Sequence, residues 1–158
     1  MIYKDARKKI KSGDLLVWSG NSIFGKIIKL FTRSKYTHVG IAWKIGRRIL
    51  IIESVEGYGV RIFPASKNLP FYVIHTDVKW TKELESIALS RVGHQYSWTG
   101  CVLGFFGINP PKDKRWQCAE FANDILFNAK IVSDKFDTPA SLVNELIQKG
   151  YHIKSVNK

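Results

Sequence analysis

The chain has 158 residues, which is the length of one globular domain. With 45% apolar and 24% charged residues it is neither disordered nor of low complexity, and it can bury a hydrophobic core. The unusual value is the charge, because 25 Lys and Arg against 13 Asp and Glu give a net charge of +12. A field of that sign favours anionic partners, such as nucleic acid, acidic lipid or a cell-wall polymer. We therefore predict a single basic domain over residues 1–158.

The first half of the sequence predicts mainly β-strands. Asp14–Ser19 is a short apolar run after a Ser-Gly turn, as expected of a buried strand. Ser22–Phe31 has apolar residues at helical spacing. Tyr36–Lys44 and Arg47–Ser54 are β-rich and flank Ile45-Gly46, which is a two-residue hairpin signal. Two further strands are predicted over Gly59–Pro64 and Phe71–Thr76.

Helices predominate in the second half. Thr81 is a suitable cap for a helix that runs through Val92. Gln117–Ala129 carries apolar residues on one broad helical face. Thr138-Pro139 predicts the start of another helix, which Gly150 ends. Strands followed by helices define an α+β fold.

Neither a secretory signal nor a membrane span is predicted. Met1–Gly13 is basic but has no apolar run behind it. The longest apolar stretch, Trp98–Ile108, is shorter than the roughly 20 residues that cross a bilayer, and it contains three glycines. We therefore expect synthesis in the cytoplasm, with either a cytoplasmic substrate or delivery to the cell envelope by a phage particle or lysis system.

The two cysteines stand in different contexts. They are too few for a disulfide framework, and no Cys/His cluster suggests zinc, so we predict no metal or other cofactor. Cys118 begins the predicted helix after the loop Asn109–Arg115, where unpaired N–H groups and the helix dipole stabilise a thiolate. Cys101 lies in an apolar stretch, as a packed core cysteine does. Cys118 is thus the candidate nucleophile, and a small buried residue is the alternative interpretation.

A cysteine nucleophile needs a base, and His38 is the candidate. It lies in a predicted strand, where alternation puts it on one face with Gly40 and Ala42. These small neighbours leave room for a helix beside the imidazole. We therefore expect the Gln117–Ala129 helix to pack against this face.

The base needs an orienting group, and the hairpin register suggests Glu53. A turn at Ile45-Gly46 pairs Lys44 with Arg47, and counting back from that pair sets His38 directly across from Glu53. A carboxylate in that place holds the imidazole tautomer and stabilises its protonated form.

The remaining candidates have simpler interpretations. His75, His94 and His152 follow a strand, a turn and a helix, and we expect them on the surface. Glu120 is two residues beyond Cys118 and cannot share its helix face. We expect Glu120 to stabilise the first turn of the helix.

Five short motifs span most of the chain. They are GDLLVW at 13–18, YTHVGIA at 36–42, IES at 52–54, GHQYSW at 93–98 and WQCAEF at 116–121. The first three resemble the histidine half of the NlpC-type papain-like cysteine peptidases, and the last two resemble the cysteine half. The cysteine half comes first in the ordinary family, whereas here the histidine half does. That order is similar to the circularly permuted, YiiX-like branch, which is similar in arrangement to lecithin:retinol acyltransferases.

The resemblance implies a papain-like α+β fold, with a small antiparallel sheet packed against helices. It makes Cys118 the nucleophile, His38 the base and Glu53 the third member. Tyr96 matches a tyrosine near the nucleophile that helps to bind the oxyanion or the substrate. The implied activity is hydrolysis of amide or ester bonds through an acyl-Cys118 intermediate. Together with the basic charge, the resemblance suggests the peptide bonds of peptidoglycan.

Two other functions fit the same sequence. A lipid acyl hydrolase or acyltransferase would use the same site, with Trp98–Ile108 touching a membrane. A binding module without catalysis would hold nucleic acid or an anionic cell-wall polymer, although no sequence-specific nucleic-acid motif is visible. The basic residues expected to flank the site for that purpose are Lys26, Lys29, Arg33, Lys35, Arg47 and Arg48.

Overall fold

The computed structural model describes residues 1–20, 29, 33–98, 115–134 and 138–158. Apart from Lys29, the predicted helix Ser22–Phe31 lies outside these ranges. Cys101 also lies outside them, as do the Trp98–Ile108 stretch beyond Trp98 and the loop before Arg115.

Four α-helices and six strands occur in the described ranges. The helices are α1 (Tyr3–Lys9), α2 (Lys82–Ser90), α3 (Cys118–Asn128) and α4 (Pro139–Gln148). The strands are β1 (Leu15–Trp18), β2 (His38–Ile45), β3 (Arg48–Val55), β4 (Gly59–Pro64), β5 (Phe71–Ile74) and β6 (Ile153–Val156), with a short 3-10 turn at Ala65–Lys67.

The α+β class is confirmed, and most predicted elements lie within a few residues of the observed ones. The caps act as expected, since Thr81 and Thr138 accept hydrogen bonds from the backbone N–H groups of Leu84 and Ser141. The helix α1 and the strand β6 were not predicted. They put a helix before the strands and a strand after the helices.

The strands form one antiparallel sheet in the order β4-β3-β2-β1-β5-β6. It is larger than the small sheet expected from the first half, because the C-terminal β6 adds to β5. The central strand β1 is buried along its whole length, which explains its continuous apolar run.

Each face of the sheet packs into its own core. Alternate residues of β1 divide between the faces: Leu15 and Val17 pack with α2, α3 and α4, whereas Leu16 and Trp18 pack with α1. The sheet is therefore the middle layer between one helix and three.

The β2–β3 hairpin differs in register from the prediction. Ile45 pairs with Arg48, so the turn residues are Gly46 and Arg47, and the predicted pair of Lys44 with Arg47 is wrong. Gly46 takes the positive φ of 56° that this turn requires. Each residue of β2 therefore pairs with a β3 residue two positions further along the chain than predicted. Because side chains alternate between the two faces of a sheet, this shift keeps every side chain on its predicted face.

The face covered by α3 also differs from the prediction. Helix α3 packs in one core with Val39, Ile41 and Ile52, whereas Ala42 belongs to the core under α1. The expectation that this helix covers the His38 face was therefore wrong. The branched residues offer the helix more apolar area than Gly40 and Ala42 do, and burial of apolar area decides the packing.

The two ends of the described chain are joined by hydrogen bonds. Met1 and Tyr3 bond to the backbone of Asn157, with N···O distances of 2.9 Å and 2.8 Å, and Ile2 forms a parallel bridge with Asn157. In the described ranges, no helix is both long and apolar enough to span a bilayer.

Candidate active site

Cys118 is a free, buried cysteine at the first position of α3. The chain is extended at Gln117 and enters the helix at the next residue, so the N–H groups of the first turn have no partner within the helix. Only 5% of Cys118 is exposed. Its side chain lies close enough to His38 to raise the pKa of that imidazole. The predicted nucleophile and base are thus in contact.

His38 begins β2 at the end of the sheet, which is how it reaches Cys118 although α3 covers the other face. Its Nε2 lies 2.7 Å from Oε2 of Glu53, and Nδ1 is the ring nitrogen left for the thiol. The Trp18 ring packs against the imidazole at a centroid distance of 5.4 Å. The ring is therefore held between a carboxylate, a thiol and an indole.

Glu53 reaches His38 along a diagonal rather than from directly across. Continuing the observed register past Ile41 and Ile52 sets Gly40 opposite Glu53. A Cβ on Gly40 would lie 3.1 Å from Cβ of Glu53 and 2.7 Å from Cγ2 of Ile51. The missing side chain leaves the space through which the carboxylate extends.

Glu53 also binds an arginine that the sequence analysis missed. Arg61 lies directly across from Glu53 on β4, and its Nε and Nη2 donate to Oε1 at 3.0 Å and 2.9 Å. Its guanidinium lies 4.9 Å from the ring centroid of Tyr58 and 4.7 Å from that of Phe63. The buried carboxylate thus gives one oxygen to His38 and the other to Arg61.

The electrostatics favour the charged forms of His38 and Glu53. Burial alone would lower the pKa of His38, but hydrogen bonds to Cys118 and Glu53 and their negative charge raise that pKa to about 10. Burial works to raise the pKa of Glu53, but the hydrogen bonds and positive charges of His38 and Arg61 lower it overall. At neutral pH His38 is therefore an imidazolium beside an ionised Glu53.

The backbone leading into Cys118 is fixed through Trp116. The hydroxyl of Ser54 donates to the Trp116 carbonyl oxygen at 2.6 Å. The indole Nε1 of Trp116 donates to Nδ1 of His94 at 3.1 Å, and the Arg91 guanidinium lies 4.5 Å from the indole centroid. These contacts hold the chain two residues before Cys118.

Tyr96 lies beside the same backbone. It forms a parallel bridge with Trp116, and its ring meets Trp98 edge-on at a centroid distance of 5.5 Å. The contacts place Tyr96 on a segment paired with the chain that leads into Cys118. Its role toward an oxyanion or substrate stays a prediction.

Glu120 serves the start of α3, as predicted. Its Oε2 accepts a hydrogen bond from the backbone N–H of Gln117 at 3.4 Å. The interaction satisfies an N–H group at the helix terminus and places a negative charge at the positive end of the dipole.

Two other histidines differ from the expectation of a surface position. His94 is half-buried and accepts the hydrogen bond of Trp116. His75 is also half-buried, with Nδ1 2.8 Å from Oδ2 of the buried Asp14. His152 is exposed, as predicted.

The predicted basic rim is only partly assembled near the site. Lys35 lies close to His38 in sequence, and its ammonium is 5.3 Å and 5.0 Å from the ring centroids of Tyr36 and Tyr72. Arg47 and Arg48 follow the opposite end of β2, roughly 23 Å along the strand from His38. These two arginines therefore do not flank the site, and Lys26 lies outside the described residues.

The missed residues left different signals in the sequence. The β3–β4 register places Arg61 opposite Glu53, and the turn signal that could have fixed this register is Gly57, which lies in the Glu56–Tyr58 turn at a φ of 78°. Ser54 and Arg91 act on Trp116 through a backbone carbonyl and a ring face, and neither contact follows from periodicity.

Comparisons with known proteins identify a similar fold. No protein-family model matches the chain, and no curated protein does. Among solved structures, the chain is similar to the metalloprotein yiiX from Escherichia coli O157:H7, described as DUF1105, with a TM-score of 0.60 and 21% identity. The match covers 75% of this chain and 66% of that one, just under two thirds. The likeness shows a yiiX-like α+β fold, and the papain-like, permuted assignment stays a prediction.

That neighbour is described as a metalloprotein, so we tested whether the donors here fit a metal ion. In the part of the chain that the structure describes, no group of three or more His, Cys, Asp and Glu side chains is placed to hold one. The Nε2 of His38 is engaged by Glu53, and the oxygens of Glu53 are shared between His38 and Arg61. The donors of this site therefore do not fit a metal.

Proposed function

We propose that the chain is a cysteine hydrolase that cleaves amide or ester bonds through an acyl-Cys118 intermediate. The observation that supports this is the cluster of Cys118, His38 and Glu53, in which Glu53 lies 2.7 Å from His38 and Cys118 stands beside His38 at a helix N-terminus. A nucleophile, a base and an orienting group in contact are what acyl transfer by cysteine requires.

In the first half of the reaction, the thiolate of Cys118 attacks the carbonyl carbon and a C–S bond forms. The carbonyl oxygen becomes an oxyanion, which the Cys118 N–H at the start of α3 is placed to bind. As the C–N or C–O bond breaks, the His38 imidazolium gives its proton to the leaving amine or alkoxide. The products are a free amine or alcohol and acyl-Cys118.

In the second half, neutral His38 takes a proton from water, and the hydroxide oxygen attacks the acyl carbon. Collapse of this intermediate breaks the C–S bond, releases the carboxylic acid and restores the thiolate–imidazolium pair. Glu53 keeps the imidazole oriented and stabilises its charge in both halves.

For the substrate we propose the peptide bonds of peptidoglycan. The proposal is supported by the sequence resemblance and by the positive charge of the chain, which suits an anionic cell wall. A soluble peptidoglycan fragment and an activated ester are the two substrates to assay. If only the ester is turned over, the proposed hydrolase activity stands and the proposed peptidoglycan substrate is wrong.

The order of residual rates in single variants tests the site. Glu53→Gln should retain some activity because an amide still accepts the imidazole N–H, but it loses the charge that stabilises imidazolium. His38→Ala should lose roughly 10²–10⁴-fold, and Cys118→Ala should lose covalent turnover. The losses should not add in double variants, because the residues act as a unit. Wild-type rates in Glu53→Gln would show that another group orients His38.

Covalent labelling tests the nucleophile without any substrate. Cys118 should react with iodoacetamide faster in the wild type than in His38→Ala, because the imidazole takes the thiol proton. Mass spectrometry reads Cys101 in the same sample as the reference. Slow labelling of Cys118 that is unchanged in His38→Ala would mean a structural cysteine.

A further inference from the structure

The positive charge of this chain is concentrated in its first third. Residues 1–50 contain 12 Lys and Arg but only 2 Asp, so 10 of the 12 net positive charges fall there. Such an asymmetry is typical of a surface that meets a polyanion.

The fold collects part of this charge into two adjoining grooves between α1 and the β2–β3 hairpin. One groove, of about 490 Å³, is lined by Arg7, Lys8, Lys44, Gly46 and Arg47. The other, of about 300 Å³, also contains Arg7 and Arg47 and adds Arg48 and Tyr3. Among the described residues, no acidic side chain lines either groove. We call the pair the hairpin groove.

Only some of these cations are used within the fold. The Lys44 ammonium donates to the carbonyl oxygens of Lys8 and Ile10 at 3.3 Å and 3.0 Å, which closes the C-terminal end of α1. Lys8 pairs with Asp5 at 3.1 Å. By contrast, the three arginines are exposed and make no ion pair within the described ranges; they are Arg7, Arg47 and Arg48.

Arginine and tyrosine in one groove match a particular ligand chemistry. A guanidinium offers a planar set of donors that suits phosphate oxygens. Tyr3 is half-buried and edge-on to Phe71, at a centroid distance of 6.2 Å and an interplanar angle of 81°. A ring fixed in this way can stack on a nucleobase, as the aromatic residues of single-strand binding sites do.

We propose that the hairpin groove binds single-stranded nucleic acid without sequence preference. Its three arginines contact successive phosphates, and Tyr3 stacks on a base. The bound strand lies roughly 23 Å from the candidate active site, because the hairpin turn and His38 are at opposite ends of β2. A membrane is the less favoured partner, because Ile45 is the one large exposed apolar side chain on the described hairpin.

The test is the salt dependence of binding to a fluorescent 15-mer of thymidylate. Log Kd against log salt has a slope of about 0.7 per phosphate contact for a single strand. The full chain carrying Arg7→Gln, Arg47→Gln and Arg48→Gln should bind at least tenfold more weakly in 50 mM salt, with the slope reduced by about 2. Removing three charges elsewhere is the matched control, for which we choose the exposed residues Lys79→Gln, Lys82→Gln and Lys130→Gln. That control should keep the wild-type slope.

A second pair of variants tests the base contact. Tyr3→Leu should weaken binding at least about fivefold, whereas Tyr3→Phe keeps the ring and should bind as wild type does. Equal losses in the two triple variants would overturn the proposal in favour of diffuse charge. The proposal would also be overturned if poly(glycerol phosphate) competed for the groove as effectively, per phosphate, as the oligonucleotide does. It would likewise be overturned if the chain bound phosphatidylglycerol vesicles more tightly than the oligonucleotide. None of these measurements depends on hydrolase activity.

Discussion

Glu53 divides its two carboxylate oxygens between two cations, and this division gives the site its charge. Oε2 contacts His38 and Oε1 receives both hydrogen bonds from Arg61. Arg61 contributes in two ways, because it fixes the carboxylate in place and keeps it ionised. An ionised Glu53 in turn favours the imidazolium form of His38.

Replacing Arg61 should therefore change the acid side of the pH profile. In Arg61→Met the hydrogen bonds and positive charge that lower the pKa of Glu53 are gone, so Glu53 protonates at higher pH. The pH below which Cys118 alkylation slows should therefore rise. Arg61→Lys keeps the charge and should stay nearer to wild type. An unshifted profile in the Met variant would show that Arg61 does not act through Glu53.

Among the elements, β2 provides both His38 and the glycine that leaves space for Glu53. Its first residue is His38, and Gly40 lies on the same face two positions later. A side chain at Gly40 would meet Ile51 and Glu53, so the absence of a Cβ lets the carboxylate lie beside the imidazole.

Gly40→Ala should disturb the site through this contact. Overpacking of this kind costs about 1–3 kcal/mol in the free energy of unfolding. We expect slower Cys118 alkylation at neutral pH, because Glu53 is displaced from His38. Gly46→Ala on the same hairpin is the control: it is strained at φ 56° but meets no atom within 4 Å. Both variants should lose stability, but Cys118 should be alkylated slowly only in Gly40→Ala. Equal alkylation rates in the two variants would show that Gly40 does not act on the site.

Sequence patterns predicted the helices and strands more accurately than they predicted the contacts between them. A continuous apolar run predicted β1, and helical spacing predicted α2, α3 and α4, with threonine caps for α2 and α4. The elements α1 and β6 were missed because each becomes buried only when the distant ends of the chain meet. The turn was misplaced by one residue, yet His38 and Glu53 stayed on one face because side chains alternate with a period of two. Arg61 was missed because its role depends on the pairing of β4 with β3.

At the scale of the whole molecule, the charged site couples folding to pH. The pKa of His38 rises from 6.5 in the unfolded chain to about 10 in the fold. A raised pKa stabilises the fold fully below 6.5, and that contribution is lost as the pH rises through about 10.

Denaturation at two pH values tests this coupling. Near pH 6, His38→Gln should be less stable than wild type by about 2 kcal/mol, the usual contribution of hydrogen bonds to a charged group. At about pH 10.5 the difference should have largely gone. His152→Gln, at an exposed histidine, controls for the loss of an imidazole and should match wild type at both pH values. A constant difference for His38→Gln would mean that its pKa is not raised by folding.

The hydrogen bonds between Met1, Tyr3 and Asn157 make the order of the two halves a matter of connectivity alone. A short linker from Lys158 to Met1, with new ends opened at the exposed Lys79 between β5 and α2, leaves every strand pair of the sheet intact. Cys118 then precedes His38 along the chain, although neither moves in space. Folding requires the same contacts in either order, so one three-dimensional site can be encoded by two linear gene layouts.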